Sequence, residues 1–222
     1  MTKRDDPTPR PSGATTATDV TAVAQLVLHE RHARDRGWWN DMRRGFADDS
    51  GVRLSWFQGT GPDFVSASER MAERGDVSVH RLAPPVVDVN GDRALAVVPA
   101  GIEVRTDLDG VEADLVSYAR LLYRAERRPD GWRIVALDPV YERDTLNACL
   151  PGTPLTVTAS ELAGFRRPYR MLSYVLSRRG YTVAQDLYGD DRPDAVRALE
   201  QAAADWLSHR ARQGRRDVNN ET

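Results

Sequence analysis

The stretch HARDRGWW, residues 32 to 39, places a carboxylate where an apolar residue belongs. Val20, Val23, Ala24, Val27 and Leu28 recur at the spacing of one helix face, and Asp35 falls seven residues beyond Leu28 on the same stripe. Such a carboxylate either sits at a wet helix end, paired locally with Arg31, or is buried with a partner, because an unpaired buried charge is costly. His29, His32 and Asp35 follow one another at i, i+3 steps and carry metal-ligating atoms. Steps of three drift around a helix, however, and no HExxH pattern is present, so exposed helix polars are preferred to a metal site and Glu30 is given no role. The lone Cys149 has no histidine near it in sequence to activate it, and reads as an ordinary small buried residue rather than a nucleophile. The GTG at 59 to 61 is too short for a phosphate-cradling loop. No metal and no cofactor are expected.

Elements must hold these residues, and the composition bounds what they can build. In 222 residues, 31 Lys and Arg face 33 Asp and Glu, so no global field draws the chain to nucleic acid or an anionic membrane. Lys3 is the only lysine. The basic run ERRPDGWRI flanks a turn beside acids, which argues against a nucleic-acid patch. One cysteine excludes an internal disulfide and fits a reducing compartment. The N-terminus has no apolar run of a signal peptide, and no stretch approaches the ~18 apolar residues of a membrane helix. These features predict a soluble, cytoplasmic protein.

Residues 1–17 and 209–222 are rich in polar and turn-forming residues and are expected to be unstructured. Between them, a helix is predicted from Asp19 to Gly37, a short one over WWNDMRRGF, a strand over VRLSWF and a helix from Pro62 to Gly75. Strands VSVHRLAPPVVDV, RALAVVPAGIEV, VEADLVSYARLLYRAER and WRIVALDPVYER follow, joined by the turn signals NGD, DLDG and RPDG. Helices followed by an antiparallel meander predict an α+β domain over 18–150, with helices on the concave face of a curved sheet. Pro84-Pro85 cannot donate to a ladder on both sides and belongs at a bulge or an edge. A helical extension over 151–208 contains RPYRMLSYVLSRRG, apolar on most sides. This helix is expected to be sandwiched, either between the domain and the last helix or between subunits of a homodimer or other homo-oligomer.

The run from LVLHERHARDRGWWNDMRRGFADD, through VH at 79–80 and VNGDRALA, to RRPDGWRIVALDPVYER resembles the nuclear-transport-factor-2-like superfamily in its SnoaL-like branch, over residues 18 to 146. The resemblance implies a cone-shaped fold. It also implies, by position, that Asp35 and His80 correspond to the Asp-His pair of the dehydratases and dehydrochlorinases of that superfamily. A neutral imidazole inside the cone would take a proton from carbon, while the carboxylate fixes its tautomer. Strand parity leaves the direction of His80 open, because Pro84-Pro85 interrupts the alternation.

Positions of substrate-holding tyrosines in the dehydratase are taken here by Arg34 and Trp56, and that of a second histidine by Val98. With Phe57 and Tyr118 the implied cavity is apolar, suited to a polyketide, terpenoid or aromatic ligand. Tyr118 and Tyr123 are five apart and occupy opposite faces of their strand. Asp114 and Asp138 are possible counterparts of the acid/base aspartate of related cyclases. The expected function is a cofactor-independent lyase or isomerase. A non-catalytic ligand-binding or oligomerisation module, or a hydrolase of the epoxide hydrolase type, are the alternatives.

Overall fold

Gly37 stops the first helix by a backbone conformation open to few other residues. At φ +69° its N–H reaches the Arg34 carbonyl (3.2 Å) and the N–H of Trp38 that of Ala33 (2.8 Å), closing the last turn of α1 (Ala17–Arg36). The computed structural model describes residues 17–218, with side chains through Ser208. The segments expected to be unstructured therefore lie outside it except at their inner ends, where Ala17 opens α1 and the backbone of 209–218 continues α6.

Helix α2 (Trp39–Gly45) leads into β1 (Phe46–Arg53) and β2 (Gln58–Thr60). The predicted strand over VRLSWF thus begins earlier, at Phe46, and ends at Arg53, because Leu54 N–H bonds the Phe57 carbonyl (2.7 Å) and reverses the chain. Thr60 caps α3 (Gly61–Glu73), with Pro62 in its first turn. At Gly61 a Cβ would lie 2.6 Å from Phe46 Cβ, so only glycine lets α3 approach β1 this closely.

The strands β3 (Val79–Leu82) and β4 (Val86–Asn90) both pair antiparallel with β5 (Arg93–Leu108), and Pro84-Pro85 lies in the break between them. The meander continues through β6 (Val111–Arg128) and β7 (Gly131–Ala148), turning at Asp109-Gly110, both of positive φ, and at Gly131. The meander is antiparallel as expected, but β1 runs parallel to β7. The curved sheet is therefore mixed, and it does not close. Register shifts between Tyr118 and Ala119 and between Arg124 and Ala125 add to its bend.

Alternation along β5 and β6 gives the sheet two buried faces. One carries Ala94, Ala96, Val98, Leu115, Ala119, Leu121 and Tyr123 against Val23 and Val27 of α1 and Phe64 and Val65 of α3. The other carries Leu95 and Leu122 against Ala203 and Leu207 of α6 (Pro193–Val218).

After β7 come α4 (Ala159–Leu162), a 3-10 turn (Arg167–Tyr169), α5 (Arg170–Arg178) and the two-residue β8 (Tyr188–Gly189), which pairs parallel with β7. The sandwich of α5 between domain and last helix does not form, because α6 lies across the opposite face of the sheet. Instead α5 packs on β6 and β7 at the open end of the cone, burying Leu172, Tyr174, Val175 and Leu176.

Candidate active site

Asp35 stands in the last turn of α1 and His80 on β3, opposite Ile102 of β5. One carboxylate oxygen of Asp35 lies 2.7 Å from His80 Nδ1, and the other accepts the backbone N–H of His80, also at 2.7 Å. The carboxylate thereby holds both the ring and the strand that carries it. Burial alone would raise the Asp35 pKa, but the hydrogen bonds it accepts from the His80 ring and backbone, with help from the Arg34 charge, hold it below the ordinary value. An ionised carboxylate only accepts, so Nδ1 bears the proton and Nε2 keeps its lone pair.

Three charged residues of α1 share this interior. The buried face begun by Val23 and Val27 continues at Glu30 and Arg31, 1% and 3% exposed. Arg31 pairs with Glu30 rather than Asp35, donating through Nε (2.6 Å) and Nη2, and Tyr123 donates its hydroxyl to the same carboxylate (3.1 Å). Arg34 donates to Ser78 Oγ (2.8 Å) and lies over the rings of Trp56 and Phe64, about 6 Å from each centroid.

His80, Arg31, Arg34, Trp56, Ser78 and Tyr141 border one cavity of about 50 Å³, whose wall is completed by Leu172, Leu176 and Arg179 of the extension. Tyr141 is buried, and burial pushes its hydroxyl up to about 12, so it stays protonated and accepts the Ser55 N–H (3.1 Å). The arrangement is a neutral imidazole, held by a carboxylate, beside a cationic and aromatic wall. It can receive a proton from carbon and stabilise a developing anion.

Of the residues implied by resemblance, Asp35, His80 and Trp56 are brought together, and Phe57, Val98 and Tyr118 are not. Phe57 stacks behind, 5.9 Å from Trp56 and 5.4 Å from Phe64. Val98 is core on the inner face, outside the cavity wall. Tyr118 points to the outer face under Arg143 (4.5 Å), and Tyr123 is the inward tyrosine. Both candidate cyclase aspartates face outward too, Asp114 on Arg105 (2.6 Å) and Asp138 near Arg124 (3.6 Å). Among the described residues no group of three His, Cys, Asp or Glu is placed to hold a metal, and no helix is long and apolar enough to cross a membrane.

Sequence reasoning missed Glu30, Arg31 and the wall supplied by α5. For the first two a signal existed, since positions 30 and 31 continue the spacing of Val23 and Val27. A family profile described as a SnoaL-like domain matches residues 15–138. The chain belongs to the SnoaL-like domain family.

Two proteins of the fungus Fusarium vanettenii resemble this SnoaL-like chain along most of its length. A PEP2-like protein is 28% identical over 204 residues, covering 85% of this chain and 86% of its own. Pea pathogenicity protein 2 is 25% identical over 206 residues, covering 88% of each. Matches of this extent pass well beyond residue 138, so the fungal proteins share part of the extension. A hexachlorocyclohexane dehydrochlorinase, LinA Type2, has the same fold at TM-score 0.52 and 14% identity, over 62% of this chain and 94% of that one.

Proposed function

We propose that this SnoaL-like protein is a cofactor-independent lyase or isomerase of a small molecule, with His80 as general base and Asp35 as the residue that positions it. The observation that carries the reading is the double 2.7 Å clamp of Asp35 on the ring and backbone of His80, at the edge of a cavity walled by Trp56, Ile102, Leu121 and Leu176. A carboxylate that also fixes the strand keeps the imidazole in one tautomer and one orientation, as proton abstraction from carbon requires. The likeness in fold to a dehydrochlorinase supports elimination as the reaction class.

The test is turnover of a panel of β-hydroxy ketones and chlorinated cyclohexanes in D2O, followed by NMR for deuterium uptake and for loss of water or chloride. His80→Ala and Asp35→Asn are each expected to lower the rate by about 10²–10⁴ while circular dichroism stays unchanged. Full activity in either folded variant would overturn the assignment.

A further inference from the structure

We propose that Arg179 binds a carboxylate at the rim of the cavity, so that the ligand is a compact organic acid whose anionic end is recognised by the extension. The inference rests on the reading of this cavity as the ligand site, and not on His80 as its base. Arg179 caps the C-terminus of α5, where the Tyr181 N–H closes the last turn on the Leu176 carbonyl (3.0 Å). The turn brings both side chains to Asp76, which follows α3 and borders the cavity together with Arg179. Three donors converge on this one carboxylate: the Tyr181 hydroxyl (2.8 Å), Arg179 Nη1 (3.3 Å) and Arg74 Nη2 (3.6 Å). Arg179 turns Nη2 to the Arg105 carbonyl (3.2 Å), a neutral acceptor, and the Arg105 guanidinium is itself engaged by Asp114 and Glu112 (2.6 and 3.2 Å). These contacts occupy only part of the donor fork of a guanidinium, so Arg179 can take a ligand oxygen without giving up Asp76.

Charge balance then selects the ligand. In the interior, with His80 neutral, the cations of Arg31 and Arg34 are matched by the anions of Glu30 and Asp35. At the rim two guanidiniums share one carboxylate, since among the described residues Asp76 is the acid that pairs with Arg74 and with Arg179. One positive charge is left over. Arg74 is more than half exposed and lies over the Tyr181 ring (4.5 Å), whereas Arg179 is largely buried, so solvent screens the first charge more than the second. A single excess cation matches a carboxylate better than a phosphate dianion, and a guanidinium grips carboxylate oxygens through parallel N–H groups. Inside the rim the wall is apolar at Leu172, Leu176, Ile102 and Val104, and its space of about 50 Å³, below the ~150 Å³ that accommodates benzene, favours a short carbon chain over a ring. The acid therefore lies at Arg179 with its chain toward His80. Arg179 and Tyr181 stand beyond residue 138, so this recognition belongs to the extension and not to the SnoaL-like domain.

Ligand-observed NMR titrations with butyrate and butyramide, and with hexanoate and hexanamide, compare the acid and the neutral form of one carbon skeleton. At neutral pH the wild-type protein is expected to bind each acid about 10-fold more tightly than its amide, and added salt to weaken the acid alone. Arg179→Met is expected to remove the preference while the amide still binds, which shows that the cavity is intact. Arg179→Lys, which keeps the charge but not the fork, is expected to retain part of it. If Arg179→Met lost the amide as well, Arg179→Lys and the salt series would decide. Equal affinity for acid and amide in the wild type, no binding of either, or an undiminished preference in a folded Arg179→Met protein would overturn the proposal. Competition by inorganic phosphate as strong as that by butyrate would also overturn it, because it would mark a site for any anion. None of these compounds carries a leaving group, so failure of the His80 and Asp35 assignments would show only in the turnover assay.

Discussion

At His80, burial outweighs the hydrogen bond the ring donates to Asp35 and, together with the positive charge of Arg31 and Arg34, lowers the imidazole from 6.5 to about 4. The ring is therefore neutral across the physiological range, with a lone pair available to a substrate proton. An imidazole with this pKa is a weak proton acceptor on its own. Linkage fixes how pH acts on the fold. Between pH 6.5 and about 4 the unfolded chain protonates this histidine and the folded chain does not. Stability contributed by the neutral ring is present above that window and is lost as pH falls through it, by up to about 3 kcal/mol. We expect His80→Asn to flatten this part of a urea-denaturation series against pH. We likewise expect the acid limb of kcat/KM to lie near 4 rather than 6.5; a limb at 6.5 would mean that the base is not this buried ring.

Helix α1 joins the two halves of the site, and it was read from the sequence in part. Spacing left Asp35 open between a wet helix end and a buried partner, and only the helix's apolar stripe and its stop at Gly37 followed from residue type. Glu30 and Arg31 did not, because charge on a helix ordinarily marks the solvent side; only the mutual pairing of the two makes their burial tolerable. The direction of His80 was hidden by Pro84-Pro85, which breaks the alternation needed to assign a face. Tyr118 and Tyr123 were correctly placed on opposite faces, but nothing local said which face was inside. That choice depends on where α1 packs, and the Glu30 carboxylate receives Tyr123. Glu30→Gln would leave Arg31 buried with its charge unmatched. We expect a loss of about 3–5 kcal/mol in urea unfolding, with a smaller loss when Arg31→Met is added and the orphaned charge is removed. Equal or additive losses would place these two residues outside one buried pair.

The whole molecule differs from a bare cone by its extension, which is fastened at several points around the opening. Ala184 N–H reaches the Ser55 carbonyl (3.0 Å), Tyr181 donates to Asp76 (2.8 Å), and Arg179 pairs with the same carboxylate (3.3 Å). The Asp144 side chain of β7 accepts the N–H of Leu172 (2.9 Å) in the first turn of α5, at the positive end of the helix dipole. Leu172 and Leu176 are held in this way against the cavity. The space between these residues, about 50 Å³, is smaller than the ~150 Å³ cavity that accommodates benzene, so this wall limits the size of a ligand that fits there. The wall residues of α5 thus lie on a different part of the chain from the Asp35–His80 pair proposed to do the chemistry. Leu176→Ala should separate the two functions. We expect a loss of about 2–4 kcal/mol in stability from the lost packing, read as a lower Tm. We also expect kcat/KM to rise for bulkier members of a substrate series relative to compact ones, with the pH dependence assigned to His80 unmoved. Unchanged size selectivity in a folded Leu176→Ala protein would mean that ligands pass some other part of the wall. A displaced acid limb would instead tie α5 to the electrostatics of the base.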